Sequence, residues 1–234
     1  MVGAVTVWGV GVSLISPRQT CIGSPPEDLP ANVISIASKS GTALAGWHLT
    51  QNPCKGVVVL LHPIRGSRLT MLQRARLLYQ NGYSIVMVDL QAHGESYTKN
   101  ITLGSLEKYD ARAAVEFAHK MHPNQPVAVL GVSLGGAAAL LASPLKIDAL
   151  ILESIFPDIT RAVHNRVRLR LGAFSAIPSE LLLFHLNIWL GISRFELRPI
   201  DCLPFVDCPL LVISGTEDQH TTALETKEIY DSVD

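Results

Sequence analysis

Gly131-Val132-Ser133-Leu134-Gly135 lies between Pro126-Val127-Ala128-Val129-Leu130, a short β-rich run, and Gly136 to Ser143, a run of small and apolar residues that favours helix. A serine at so sharp a strand-to-helix turn has its hydroxyl lifted out of the fold, and small neighbours permit the strained backbone that lifts it. Ser133 is therefore the candidate nucleophile. A serine hydroxyl is a weak nucleophile at its own pKa, so acyl transfer needs a base to take the proton, an acid to orient that base, and N–H donors for the oxyanion. The backbone N–H of Leu134, beside a helix N-terminus, is the natural first donor. The apolar run Gly56 to Leu61 ends in His62-Pro63-Ile64-Arg65-Gly66, and Ile64 N–H is the expected second donor, since Pro63 has no N–H to give. For the acid, Leu210 to Ser214 reads as a strand running into a turn that reaches Asp218, with Glu217 beside it as the alternative.

The elements that must position these residues alternate strand and helix from Asn32 onward, the pattern of a parallel sheet with crossover helices. Val33 to Ala37 and Leu44 to Leu49 read as a hairpin turned at Ser40-Gly41. Gly56 to His62 is continuously apolar, as expected of a central strand buried on both faces. Leu69 to Gln80 and Leu106 to Met121 read as helices, and Tyr83 to Asp89 and Ala149 to Glu153 as strands. Between Phe156 and Pro199 the alternation breaks into helices, an insertion that would lie over the strand ends where ligands bind. Within it, Ser179 to Leu190 is apolar around most of its circumference, so it must be buried, pack on a partner or meet lipid; too short to span a bilayer, it is expected to roof an apolar pocket and not to form a membrane segment. Arg161, Arg166, Arg168 and Arg170 precede it, as a solvated face or as an attraction for an acidic ligand or anionic lipid. Thr221 to Val233 reads as a last helix.

A chain of 234 residues suits one α/β domain. A formal net charge of −1 gives no electrostatic reason to expect nucleic acid. Cys21, Cys54, Cys202 and Cys208 show neither C-x-x-C nor metal-ligand spacing, so free, mostly buried thiols are expected and no metal or cofactor is called for. The mean hydropathy of +0.29 owes part of its value to Val2 to Ile15, which holds no charged side chain. This segment is shorter than the roughly 20 residues of a membrane-spanning helix, and no Lys or Arg precedes it as in a signal peptide. It reads as a membrane contact through residues 2–15, as an apolar arm packed on a cytoplasmic domain, or as the mark of a start assigned too far downstream. Pro17 and Pro25-Pro26 then mark a linker, so residues 1–31 stand apart from a domain at 32–234.

Taken together, Leu61 to Gly66, Asp89-Leu90-Gln91-Ala92-His93-Gly94-Glu95-Ser96, the turn at Ser133 and the strand leading to Asp218 resemble the α/β-hydrolase superfamily. The likeness is strongest to bacterial serine hydrolases near the serine aminopeptidase and esterase/lipase groups, and it covers about Asn32 to Asp234. It implies the α/β-hydrolase fold, a mostly parallel, doubly wound sheet with a helical cap at 156–199. It also implies an acyl or peptide hydrolase without cofactor, Ser133 on the nucleophile elbow and Asp218 as the acid, in the chain order Ser, Asp, His. His62-Pro63 departs from the His-Gly usual in the family at this loop.

The catalytic histidine of the family normally follows the acid beyond one more helix and strand, whereas Asp218 is followed only by residues 219–234. The sequence thus reads as stopping before the histidine loop and the last strand. Within it, His220 lies on the turn of Asp218, while His62 and His93 follow sheet strands, where the family uses histidines to hold loops. These are the possible surrogate bases. His164 and His185 belong to the cap, and His48, His119 and His122 read as structural or exposed. The expected function is hydrolysis of a carboxylic ester through an acyl-serine, with a serine peptidase or thioesterase as alternatives. A non-catalytic binding protein or inactive fragment on the same fold is the reading from another class, separated from the first by the base. Dehalogenase and epoxide hydrolase chemistry is disfavoured, since both use an aspartate where this chain has Ser133.

Overall fold

In the computed structural model, which describes residues 9 and 11–233, parity along the strands decides which helices cover which face. Seven strands form one sheet: β1 (Ala31–Ala37), β2 (Ala43–Leu49), β3 (Val57–Leu61), β4 (Ser84–Val88), β5 (Val127–Val132), β6 (Ala149–Glu153) and β7 (Leu210–Ile213). Their spatial order is β1-β2-β4-β3-β5-β6-β7. β2 runs antiparallel to β1 and β4, and the other pairings are parallel. Successive side chains of a strand point to opposite faces. Accordingly Val57, Val59 and Leu61 of β3 join one core with Ala114 and Ala118 of helix α2 (Glu107–Met121) and Ala137 to Leu140 of α3 (Leu134–Leu141). Val58 and Leu60 join the other core with Trp47, Met71 and Ala75, the last from α1 (Leu72–Gln80). Both faces are covered, and β3 and β4 are buried throughout.

The stretch expected to be a linker is laid across the domain. Ile15 and Leu29 are buried, Arg18–Gln19 pairs in parallel with His93–Gly94, and Asp28 is ion-paired with Arg76. Of the uncharged segment Val2 to Ile15, residues 2–8 and 10 lie outside the described residues, and 11–15 are helical. All four cysteines are free, but none is fully buried, Cys21 being exposed, so the expectation of mostly buried thiols is corrected.

Between β6 and β7 the chain forms α4 (Ile159–Leu171), a 3-10 turn at Gly172–Ser175 and α5 (Ala176–Leu190). Asp158 caps α4 by accepting from Arg161 N–H at 3.0 Å. Gly172, at φ 54°, takes the backbone out of the helix, and the chain folds back so that His164 meets Glu180 at 3.1 Å. α5 is not buried around its circumference as its composition suggests. Ser179, Leu182, Leu183 and Leu186 face the core, whereas Ile177, Leu181, Phe184 and Ile188 are exposed. After β7 the chain turns into α6 (Ala223–Asp231), capped by the reciprocal bonds of Thr222 and Glu225.

Candidate active site

Ser133 sits between β5 and α3 at φ 49°, ψ −108°, a conformation that costs a non-glycine residue free energy. Its N–H donates to Glu153 O at 2.9 Å, and its O accepts from Ala137 N–H at 2.9 Å, which locks the turn from both sides. The flanking glycines answer to close approach. A Cβ on Gly131 would lie 2.5 Å from Gly136 N, and one on Gly135 would lie 2.2 Å from Leu61 O of β3. With the backbone held there, the half-buried Ser133 side chain makes no hydrogen bond among the described residues.

The two expected oxyanion donors stand at equivalent places on neighbouring strands. Leu61 of β3 pairs with Gly131 of β5, and Ile64 and Leu134 each lie three residues further on. Leu134 opens α3, so its N–H has no acceptor within the helix. Ile64 N–H has no acceptor among the described residues. Pro63 does not disturb this loop. Its O accepts from Gly66 N–H at 3.0 Å, closing a turn with Arg65 in the left-handed region at φ 61°.

Two histidines hold the same loop, and both ring nitrogens of each are occupied. His62 Nε2 accepts from Leu90 N–H at 2.9 Å, which leaves Nδ1 to donate to Pro63 O at 2.8 Å. His93 Nε2 accepts from Arg65 N–H at 3.0 Å, and its Nδ1 donates to Gln91 O at 2.9 Å. Burial and the neighbouring His93 push the pKa of His62 down to about 3, and burial also lowers that of His93. A neutral imidazole whose lone pair is already used has none left for a serine proton. The structure therefore removes His62 and His93 as surrogate bases. The loop is further clamped by Arg68, buried on the Trp47 ring at 4.7 Å and ion-paired with Asp89 and Glu95. Nothing in the sequence singles out this pairing.

Asp218 lies beyond β7, which is separated from β5 by β6, about 10 Å across two strand spacings. Its Oδ1 accepts from the N–H groups of His220 at 2.8 Å and Thr221 at 3.0 Å. Burial raises its pKa, but these amides and the Ser154 side chain outweigh it, and the carboxyl is held below its ordinary value. Ser154, at φ 50°, is a supporting residue with no signal in the sequence, because only the register of β6 between β5 and β7 brings it to Asp218. Glu217 is exposed and makes no side-chain bond among the described residues. His220 is exposed, and its hydrogen bond to Asp218 is made by the backbone N–H and not by the ring. A cleft of about 310 Å³ lies beside Asp218 between Arg168 and Thr222, and Ser133 does not line it. No cluster of three or more His, Cys, Asp or Glu suited to a metal ion occurs among the described residues.

The family model described as serine aminopeptidase, S33, matches residues 52–178, from before the loop at His62 through the turn at Ser133 and into α5. The chain belongs to the serine aminopeptidase S33 family. That makes it an α/β-hydrolase, and the sheet order agrees. This S33 member is 23% identical over 212 residues to the uncharacterized protein YqkD of Bacillus subtilis and 24% identical over 208 residues to the α/β hydrolase domain-containing protein WAV2 of Arabidopsis thaliana. Those alignments take in 88% and 84% of this chain, which spans 69% and 65% of the two relatives' lengths. The esterase Pf2001 of Pyrococcus furiosus superposes with a TM-score of 0.75 at 22% identity, over 94% of this chain and 84% of that one.

Proposed function

We propose that this S33 member is a serine hydrolase of carboxylic esters working through an acyl-serine on Ser133. The observation that carries the reading is the strained Ser133 with an unbonded hydroxyl, flanked by the unoccupied N–H groups of Leu134 and Ile64. Ser133 Oγ attacks the ester carbonyl carbon, the two amides bind the oxyanion, and the alcohol leaves with the proton taken from Ser133. Water then attacks the acyl carbon and returns the free acid and Ser133. Asp218, kept ionised, is suited to orient a histidine standing between β5 and β7 and to stabilise its charged form. His62 and His93 do not supply that histidine. The fold of the Pyrococcus furiosus esterase supports an ester, while the family description keeps a peptide, and the shared chemistry a thioester, as alternatives.

The occupied rings of His62 and His93 favour a second reading, a non-catalytic binding protein on the same fold. Fluorophosphonate labelling and p-nitrophenyl ester turnover separate the two. In any form of the protein with turnover, Ser133→Ala is expected to remove label and to lower turnover by about 10⁴ or more while circular dichroism is unchanged. Retained turnover in a folded Ser133→Ala protein overturns the assignment. Strong turnover by residues 1–234 that His220→Ala abolishes would make His220 the base instead.

A further inference from the structure

By composition, residues 159–190 are long and apolar enough to cross a membrane, with a mean hydropathy of 1.3 in their most apolar window. They are instead folded in two at Gly172, and the fold leaves an unusual tip. Residues 168–174 are all exposed, Arg168-Leu169-Arg170-Leu171-Gly172-Ala173-Phe174. From the tip an exposed apolar stripe continues along α5 through Ile177, Leu181, Phe184 and Ile188, with Phe174 85% and Ile177 75% exposed. Arg168 and Arg170 bring positive charge to the tip, while Glu217 and Asp218 face Arg168 across the cleft at its base. Arg168 and Arg170 have no carboxylate partner among the described residues, unlike Arg161, Arg194 and Arg198, which are ion-paired. Glu180, the acid on this helix, is already bonded to Arg194 and His164.

A second apolar element reaches the same place from the other end of the sequence. A Cβ on Gly11 would lie 2.1 Å from the Trp189 ring of α5, so the N-terminal helical residues are laid directly on the cap. Val12 is exposed there, and no charged side chain occurs from Val2 to Ile15.

We infer that the α4–α5 tip and the outer stripe of α5 form a docking surface for the headgroup–acyl boundary of an anionic lipid bilayer. Phe174 and Ile177 enter the boundary, and Arg168 and Arg170 meet lipid phosphates. A second copy of the chain fits less well, because packing the apolar face on itself brings Arg168 and Arg170 against their own copies, while Glu180 of the same face is already bonded to Arg194 and His164. A projecting apolar tip beside unpaired cations is what a lipid surface complements.

The test is sedimentation of the chain with phosphatidylcholine vesicles that contain or lack phosphatidylglycerol. The unaltered protein is expected to bind the anionic vesicles more tightly, and less so at high salt. Phe174→Gln with Ile177→Gln, both highly exposed positions, is expected to lower partitioning at least tenfold with no change in thermal midpoint. Arg168→Gln with Arg170→Gln is expected to lower it by about fivefold per arginine on anionic vesicles only. Absence of binding, equal binding to both vesicle types, or binding unchanged in both paired variants overturns the inference. So does a dimer in solution that Phe174→Gln with Ile177→Gln converts to monomer, which would assign the face to a second copy.

Discussion

Ser133 keeps a backbone conformation, φ 49° and ψ −108°, that suits glycine better than serine. The elbow is held in it by Glu153 O, Ala137 N–H and the close packing of Gly131 and Gly135. Ser133→Gly is therefore expected to raise stability by about 1 kcal/mol while removing the proposed nucleophile, a trade read out by denaturant unfolding beside the ester assay. His62 gives the opposite kind of dependence. Its folded pKa, about 3, lies below the ordinary 6.5, so only the unfolded state takes up the proton as pH falls between them. The stability this residue contributes is fully present above pH 6.5 and is lost as pH falls toward 3, at about 1.4 kcal/mol per pH unit. In His62→Gln the slope of stability against pH over that window is expected to be shallower by a comparable amount. An unchanged slope would mean that His62 titrates alike in both states.

The helix α5 shows how an element divides its own composition. Leu186 faces the core and Phe184, of similar hydrophobicity, is 63% exposed. Leu186→Ala is expected to cost about 2–5 kcal/mol through the cavity it leaves, and Phe184→Ala less than about 0.5 kcal/mol. Urea unfolding of the two variants reads the contrast directly. Phe184 also faces solvent, so on the proposed ester chemistry its substitution is not expected to alter acyl-chain preference. Trp189 and Leu182 of this helix both stand against Gly11 and so join it to the N-terminal residues.

The sheet of the whole molecule has two edges, β1 and β7, each with a single neighbouring strand among the described residues. β7 has only β6 as a neighbour among the described residues, and Leu211 and Ile213 are exposed on it. An unpaired apolar edge strand is a template for another chain. Leu211→Lys is expected to lower concentration-dependent light scattering without lowering the unfolding midpoint, since Leu211 contributes little buried area. Scattering that persists in this variant would move the association to another face.

The sequence by itself determined the elements and their order, because hydrophobic period is local. The hairpin, the buried β3, the elbow and the strand before Asp218 all lie where alternation, apolar runs and turn residues put them, within a few residues. It also determined that Ser133, Leu134 and Ile64 share one sheet edge, since all follow the ends of strands that the fold makes parallel. Tertiary structure decided what depends on partners far apart in the chain. Whether His62 and His93 are bases or struts turns on the amides of Leu90 and Arg65. That Ser154 supports Asp218 turns on the register of β6. Which side of α5 is buried turns on a fold-back at Gly172, because a helix apolar on every side carries no period from which an inner face can be read.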